Sequence, residues 1–136
     1  MIEINNLTSF ALDKKLFTGI AKKVLSGENR GAETLSLAFV SKEEIKKLNK
    51  KYRGKNKPTD VLSFELAEKE CLGEIVICPE VVKENSEKFG GGFKKEIVKV
   101  FVHGIFHLLG YDHEKSEKEA EKMEAKEEQY LAKLKI

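Results

Sequence analysis

The sequence predicts an α+β fold in which one small mixed β-sheet of about four strands packs against about five helices. Three observations lead to this prediction. The 136 residues are the length of one domain, so we treat 1–136 as a single domain. Stretches with the alternation of strands are interspersed with stretches of helical periodicity. Two of the strand-like stretches are separated by a short polar turn, which favours a hairpin within the sheet.

Local signals place the helix ends. Thr8 and Ser9 can cap a first helix, and Ser41 with Glu44 three residues later forms a capping box. Pro79 suits the first turn of a further helix. We therefore expect strands at 2–5, 33–40, 59–66 and 72–78, and helices at 8–27, 41–51, 79–89, 93–109 and 114–135.

The helix at 93–109 is apolar on nearly all sides in its C-terminal half. Such a helix is expected to be central and buried. It carries two histidines, His103 and His107, and Gly110 is a natural residue to end it. A buried helix with two histidines is therefore the centre of the predicted fold.

Composition excludes several classes of protein. Charged residues make up 35% of the chain, yet the formal net charge is only +2, so bulk charge does not indicate a nucleic-acid partner. No apolar run approaches 18 residues, which excludes a membrane-spanning helix, and the start lacks the pattern of a signal peptide. We expect a cytoplasmic protein with no membrane partner. Lys and Glu dominate the charged residues, which is typical of heat-adapted proteins.

The two cysteines are not expected to pair. Cys71 and Cys78 flank an apolar stretch with the character of a strand, and seven steps at about 3.3 Å would separate them by roughly 23 Å. A disulfide needs Cα atoms within about 7 Å. Free thiols in a reducing compartment are the expected state.

All three histidines lie within 11 residues. His103 and His107 are four residues apart, so on a helix they stand on one face about 6 Å apart along the axis. Gly110 lets the chain turn back, and His113 can then supply a third imidazole. The spacing H-x3-H-x2-G-x2-H is that of the extended zincin motif. Three imidazoles with an open fourth position indicate a catalytic metal site, with Zn²⁺ as one bound ion and other divalent transition metals as possible occupants.

One position departs from the zincin proteases. They carry glutamate directly after the first histidine as general base, whereas this chain has Gly104. Water activation must therefore come from the metal or from a carboxylate elsewhere. Core histidines without a metal, or a purely structural metal, are the alternatives.

A second unusual segment lies before the third predicted strand. Residues 42–57 contain eight basic and two acidic residues, a local net charge of +6. Such a run is often only a solvated surface, but Tyr52 and Arg53 add a stacking ring and a bidentate phosphate-binding group. A basic loop beside a three-histidine metal would suit a phosphodiester substrate.

With both segments in view, the chain resembles the YbeY family of bacterial metal-dependent endoribonucleases. The matching elements are N-x2-Y-R-x4-P-T-D-V-L-S-F at 49–64, L-G-E-I-V-I at 72–77 and H-G-x-x-H-L-L-G-Y-D-H at 103–113. The order and spacing agree over roughly residues 30–115. Glu74 stands where the family often has aspartate, and the connection at 81–93 has no counterpart in the motifs.

The resemblance implies zinc held by His103, His107 and His113, and a functional arginine at Arg53. It also implies cleavage of single-stranded RNA during maturation of the 3′ end of 16S ribosomal RNA, with ribosome quality control and the small ribosomal subunit as context. We expect a monomer.

The remaining roles follow from the residues. Arg53 would reach in from the loop before the third strand to neutralise charge in the transition state, and nearby lysines would hold flanking phosphates. Asp112 and Glu96 are candidate partners for the imidazole N–H groups. Tyr111 is expected to pack, and Thr59 and Asp60 to shape the turn that presents Arg53.

Two other functions stay open at this point. One is a zinc metallopeptidase or amidohydrolase, against which the glycine at 104 argues. The other is a non-catalytic ribosome-binding factor with a structural metal. A basic cleft beside the metal would favour the nuclease, and an apolar cleft bordered by a strand edge would favour the peptidase.

Overall fold

The computed structural model describes residues 2–66, 70–111 and 114–134. Within these residues it contains one four-stranded mixed sheet and five helices, which confirms the predicted fold class. The strands are β1 (Ile2–Asn6), β2 (Thr34–Phe39), β3 (Val61–Glu65) and β4 (Cys71–Ile77). The helices are α1 (Lys14–Gly27), α2 (Lys42–Arg53), α3 (Pro79–Phe89), α4 (Phe93–Leu108) and α5 (Glu117–Leu134).

The strand order in the sheet is β1-β2-β4-β3. β1 and β4 both run parallel to β2, whereas β3 pairs antiparallel with β4 and forms the predicted hairpin. The turn expected between them falls largely on residues 67–69, which lie outside the described part of the chain. β3 is an edge strand, so one side of its backbone faces away from the sheet.

The two faces of the sheet bury different helices. On one face, residues such as Leu37 and Ile75 join α1, α3, α4 and α5 in the main core. On the other face, Ile45 of α2 packs with Leu62 and Val76 in a smaller cluster. The polar helix α2 therefore covers one side of the sheet, and the apolar helix α4 lies on the other.

α4 approaches the sheet most closely at Gly104. A Cβ atom on this glycine would lie 3.1 Å from Cγ2 of Ile75 and 3.3 Å from Oγ of Ser63. The Ser63 hydroxyl also donates a hydrogen bond to the Gly104 carbonyl oxygen at 3.3 Å. The missing side chain thus lets the histidine-bearing helix sit directly on β3 and β4.

Three predicted helix boundaries differ from the structure by two residues or more, and one of them is the start of α5, which lies at Glu117 and not at Glu114. α1 begins at Lys14, where the Asp13 side chain caps it by accepting from the Lys15 N–H, and not at Thr8. The Thr8 hydroxyl instead donates to Asn6 Oδ1 at 2.6 Å, which closes a local turn. α2 extends past Lys51 to Arg53, and Gly54 ends it in a left-handed conformation that glycine adopts at little cost.

Other local predictions are confirmed. Ser41 caps α2 by accepting from the Glu44 N–H, and Pro79 opens α3. Cys71 and Cys78 are both free thiols. Among the described helices, none combines the length and apolar character needed to span a membrane.

Candidate functional site

A cleft of about 600 Å³ brings together the two segments that the sequence singled out. Its walls come from the end of α2, the loop that follows, strand β3, the C-terminal half of α4 and the turn after α4. The residues lining it are Asn49, Arg53, Lys55, Lys57, Thr59, Asp60, Val61, Leu62, Ser63, Glu65, His103, His107, Gly110, Tyr111 and Glu114.

The two histidines of α4 face the cleft from successive turns of the helix. The ring centroids of His103 and His107 lie 4.8 Å apart with an interplanar angle of 83°. Both side chains are partly buried, while the helix around them is buried against the sheet. The structure therefore juxtaposes two of the three predicted metal ligands on a rigid element.

Glu127 of α5 holds one of these rings. Its Oε1 atom lies 2.7 Å from Nδ1 of His103, and its side chain is only 13% exposed. A carboxylate at one ring nitrogen is the usual partner of a histidine that binds a metal through the other nitrogen. Glu127 was not predicted from the sequence, which suggested Glu96 or Asp112 for this role. The Nδ1 partner of His103 is Glu127, and Asp112 lies outside the described residues.

The third predicted ligand, His113, also lies outside the described residues. Over residues 2–66, 70–111 and 114–134, no group of three His, Cys, Asp or Glu side chains is arranged to hold a metal ion. The metal site therefore stays a prediction that two described imidazoles and one buried carboxylate support.

The sequence predicted that Arg53 reaches the cleft from the loop before β3. In the structure it belongs to the last turn of α2 and enters the cleft from there. Its side chain is exposed, and its Nη2 lies 3.5 Å from the carbonyl oxygen of Ser63 on β3. The guanidinium group is therefore held at the rim by the helix end and by the sheet edge.

Asn49 shapes the loop after α2. It is 3% exposed, and its Nδ2 donates to the Lys57 carbonyl oxygen at 2.9 Å, while its own backbone carbonyl accepts from the Lys55 N–H. These bonds fold the loop against the helix end, so that Lys55 and Lys57 both line the cleft. The role was missed from the sequence, although one signal was present: Asn49 follows the buried Ile45 by four residues, which places a polar side chain on the inner face of α2.

The charges of the cleft are of both signs. Arg53, Lys55 and Lys57 line the side of α2 and its loop, and three carboxylates (Asp60, Glu65 and Glu114) line it elsewhere. Thr59 donates to Asp60 at 3.4 Å, and the Cys78 N–H donates to the Asp60 carbonyl, which supports their expected role in the turn. The cleft is polar and cationic on one side, not apolar.

An exposed strand edge also borders the cleft. The Cys78 N–H donates to the Asp60 carbonyl oxygen, so Asp60 occupies a hydrogen-bonded position opposite β4. Hydrogen-bonded and non-hydrogen-bonded positions alternate along an antiparallel strand. The backbone N–H and C=O groups of Val61, Ser63 and Glu65 therefore point away from β4. All three residues line the cleft. The site thus combines the cationic wall expected of a nuclease with the strand edge expected of a peptidase.

A cluster centred on Glu28 anchors the elements behind the histidines. Its carboxylate accepts from Tyr130 at 2.8 Å, from Tyr111 at 3.2 Å and from Lys126 at 3.2 Å. Burial alone would raise the pKa of Glu28, but these partners together lower it, while burial and the Glu28 carboxylate raise the pKa of Tyr130 to about 12. Tyr111 packs on Phe106 as expected, with ring centroids 5.3 Å apart.

Comparison with known proteins identifies the family. Residues 3–135 match the protein family described as Endoribonuclease YbeY. The chain belongs to this family. An Endoribonuclease YbeY from Thermotoga maritima is 45% identical over 97 residues, which cover 71% of this chain and 65% of that relative. One from Petrotoga mobilis is 39% identical over 133 residues, which cover 96% of this chain and 92% of that relative.

A solved structure agrees with the YbeY assignment. The solution structure of TM1509 from Thermotoga maritima superposes with a TM-score of 0.74 at 37% sequence identity, covering 98% of this chain and 89% of that one. The resemblance predicted from the three matching elements is therefore confirmed. The family is one of endoribonucleases, which are hydrolases of RNA, so the predicted reaction class agrees with the family.

Proposed function

We propose that this YbeY-family protein is a metal-dependent endoribonuclease whose active site is the cleft between α2, β3 and α4. The observation that carries the proposal is the meeting of His103, His107 and Arg53 in one cleft. These residues come from two segments 50 positions apart in the sequence. If the basic segment were only a solvated surface and the histidines only core residues, the fold would not be expected to place them in the same cleft.

We assign the metal to His103, His107 and His113, and Zn²⁺ is the ion we expect. The donor set fits, since imidazoles suit zinc and the Glu127–His103 bond is the usual support of such a ligand. When bound, the ion would supply Lewis-acid activation of a water molecule or of a phosphate oxygen.

The side chains of the cleft would bind and orient the RNA. Arg53 presents a planar guanidinium group that can pair with two phosphate oxygens and balance the charge that develops on the phosphate during cleavage. Lys55 and Lys57 would bind the flanking phosphates. Asp60, Glu65 and Glu114 are the carboxylates of the described cleft that could accept a proton, in place of the glutamate absent at position 104.

The identity of the RNA comes from the family resemblance. We propose single-stranded ribosomal RNA as substrate, with the 3′ end of 16S RNA, the small ribosomal subunit and ribosome quality control as its setting, and a cytoplasmic location. A monomer would suffice, because every residue assigned above belongs to one chain.

The edge of β3 keeps peptide hydrolysis as a second candidate. Its outward backbone groups could pair with an extended peptide, as sheet edges do in peptide-binding proteins. The cationic wall and the glycine at position 104 favour the nuclease, and the experiment includes both substrates.

The test is a cleavage assay with single-stranded and base-paired fragments of ribosomal RNA and with an unfolded protein substrate, each with added Zn²⁺. We expect cleavage of the single-stranded RNA alone, and its loss in His107→Ala. A wild-type protein that binds RNA but never cuts it would favour the ribosome-binding factor, and cleavage of the protein substrate would favour the peptidase. Elemental analysis of protein purified without a histidine tag identifies the metal.

A further inference from the structure

Tyr52 is a large aromatic residue on the surface of α2. Its side chain is 56% exposed, in contrast to Tyr130, which is 5% exposed within the core. An edge-on ring contact holds it to the sheet: its centroid lies 5.2 Å from that of Phe64 on β3, at an angle of 64°. More than half of the Tyr52 side chain is therefore open to solvent, while the contact with Phe64 fixes the place of its ring.

The Tyr52–Phe64 pair lies beside the cleft, on the side of β3 that packs against α2. Arg53, the residue after Tyr52, lines the cleft, as do Ser63 and Glu65 on either side of Phe64. The Arg53 guanidinium also lies 3.5 Å from the Ser63 carbonyl oxygen. Two adjacent contacts thus join the end of α2 to β3, one between aromatic rings and the next between a cation and the strand edge.

The surroundings of the ring are cationic. Lys51 Nζ lies 5.2 Å from the Tyr52 centroid, and Arg53 follows on the other side in sequence. The segment 42–57 carries a net charge of +6. An exposed aromatic ring between cations suits a ligand that has flat apolar surfaces and regularly spaced negative charges, which is the chemistry of a nucleic-acid strand.

We propose that Tyr52 is a stacking platform for an unpaired nucleobase of the RNA, next to the nucleotide whose phosphate Arg53 binds. This inference rests on the proposed nuclease function and names a binding subsite beside it. Only an unpaired base can turn its face onto an external ring, since the faces of a paired base are covered by its neighbours in the duplex. Tyr52 would therefore favour single strands over duplexes before any bond is cut.

Tryptophan fluorescence gives a direct test, because the chain contains no tryptophan. Tyr52→Trp introduces a single reporter whose emission is quenched when a base stacks on it. We expect quenching by a single-stranded oligoribonucleotide, weaker quenching by the same sequence in a duplex, and none by inorganic polyphosphate, which has the charges without the bases. Absence of quenching by the single strand, or equal quenching by the duplex, would overturn the proposal.

A second measurement uses affinity and a matched control. Tyr52→Leu keeps an apolar side chain on Phe64 but removes the flat ring, and we expect it to bind the single strand about tenfold more weakly. Tyr52→Phe should bind like the wild type. Phe89, which is 78% exposed on α3 and also has a lysine beside its ring, is the control. Phe89→Leu should change nothing, and Phe89→Trp should not be quenched.

The two proposals can fail separately. If the wild type cuts single-stranded RNA while Tyr52→Leu binds it equally well, the stacking subsite is wrong and the nuclease stands. If Tyr52→Trp is quenched by single strands but the wild type never cuts them, the subsite belongs to an RNA-binding protein without nuclease activity. Circular dichroism of each variant checks that the fold is retained.

Discussion

Glu127 and His103 meet 2.7 Å apart although they lie 24 residues apart on different helices. The contact ties the C-terminal helix α5 to the central helix α4 at the wall of the cleft. α5 reaches this position through its buried residues Met123 and Tyr130, which share the inner face of the helix with Glu127. A helix that looks like a charged tail in the sequence is therefore part of the site.

Removing this carboxylate should weaken metal binding. We expect Glu127→Ala to lower the affinity for Zn²⁺ by about 10- to 100-fold, because the His103 ring loses the partner that fixes its tautomer and orientation. Competition with a chromophoric chelator measures the affinity. Glu128→Ala, which changes the adjacent exposed glutamate, is the control and should bind zinc normally. Equal affinities in the two variants would contradict a role for Glu127 at the metal.

Arg53 should matter for cleavage and not for folding or metal content. Its side chain is exposed, so Arg53→Ala should keep the thermal midpoint and the bound zinc while lowering the cleavage rate by about 100-fold or more. Arg53→Lys should recover little, since an ammonium group cannot pair with two phosphate oxygens at once. Arg30→Lys changes the other arginine of the chain as a control. Depleted zinc or a lost fold in Arg53→Ala would mean that the residue is structural.

The lysines of the cleft should set the salt dependence of RNA binding. Replacing Lys55 and Lys57 with glutamine removes two phosphate contacts. The slope of log affinity against log salt concentration should therefore become less steep by about 1.4 for a single strand. Replacing Lys94 and Lys95, which are exposed at the start of α4 and do not line the cleft, should leave the slope unchanged. An equal change of slope in both double variants would show that RNA responds only to overall charge.

Two helix glycines should respond differently to alanine. A Cβ atom on Gly19 of α1 would meet nothing within 4 Å beyond the backbone of its own helix, so Gly19→Ala should raise the free energy of unfolding by about 1 kcal/mol through helix propensity. Gly104→Ala should lose that gain, because the new methyl group would press on Ile75 and Ser63. Gly104→Glu, which places the zincin glutamate in this buried contact, should fail to fold stably. Urea denaturation compares the three, and a stable Gly104→Glu would refute the close approach.

Ionisation of Tyr130 should lower the free energy of unfolding at alkaline pH. Its pKa is raised to about 12 in the folded protein from an ordinary value of 10.0, so the folded state holds the proton more tightly than the unfolded chain. The resulting stability is fully present below pH 10 and is lost as the pH rises towards 12, an effect of about 2 kcal/mol. Tyr130→Phe should show a smaller decline of the unfolding free energy between pH 10 and 12. An identical decline would assign it to the lysines instead.

Acid should also reduce the stability that the Glu28 cluster provides. The pKa of Glu28 is lowered in the folded protein, so its contribution is present above the ordinary value of 4.5 and disappears as the pH falls through the lowered one. Glu28→Gln should therefore flatten the loss of stability below pH 4.5, as measured by thermal unfolding. A parallel curve for the wild type and Glu28→Gln would exclude this contribution.

Much of the fold was predictable because its signals are local. The capping box at Ser41, the proline at 79 and the apolar character of α4 each act within one or two helical turns, so a single sequence reveals them. The start of α1 was missed because Thr8 accepts from the Phe10 N–H in a local turn and donates to Asn6, while Asp13 caps the helix.

The site was predictable only in part. His103 and His107 follow from their spacing, but the partner of His103 is one among 20 glutamates in the chain, and its choice depends on how α5 packs. One clue was available: Met123, Glu127 and Tyr130 recur at helical spacing, so a carboxylate interrupts an apolar stripe. The edge position of β3 depends on strand pairing between distant segments, which the local pattern does not specify.

The contact between Gly104 and Ile75 also bears on how the proposed metal ion would be loaded. Small zinc domains fold only when the ion arrives, because their few apolar residues cannot hold them together. Here α4 is fixed by the apolar core, which includes the closely packed Ile75, Phe101 and Ile105. The helix therefore sets the spacing of His103 and His107, and the packing of α4 on the sheet fixes their position. For the proposed metal site, folding of the chain and loading of the ion would therefore be two separate events.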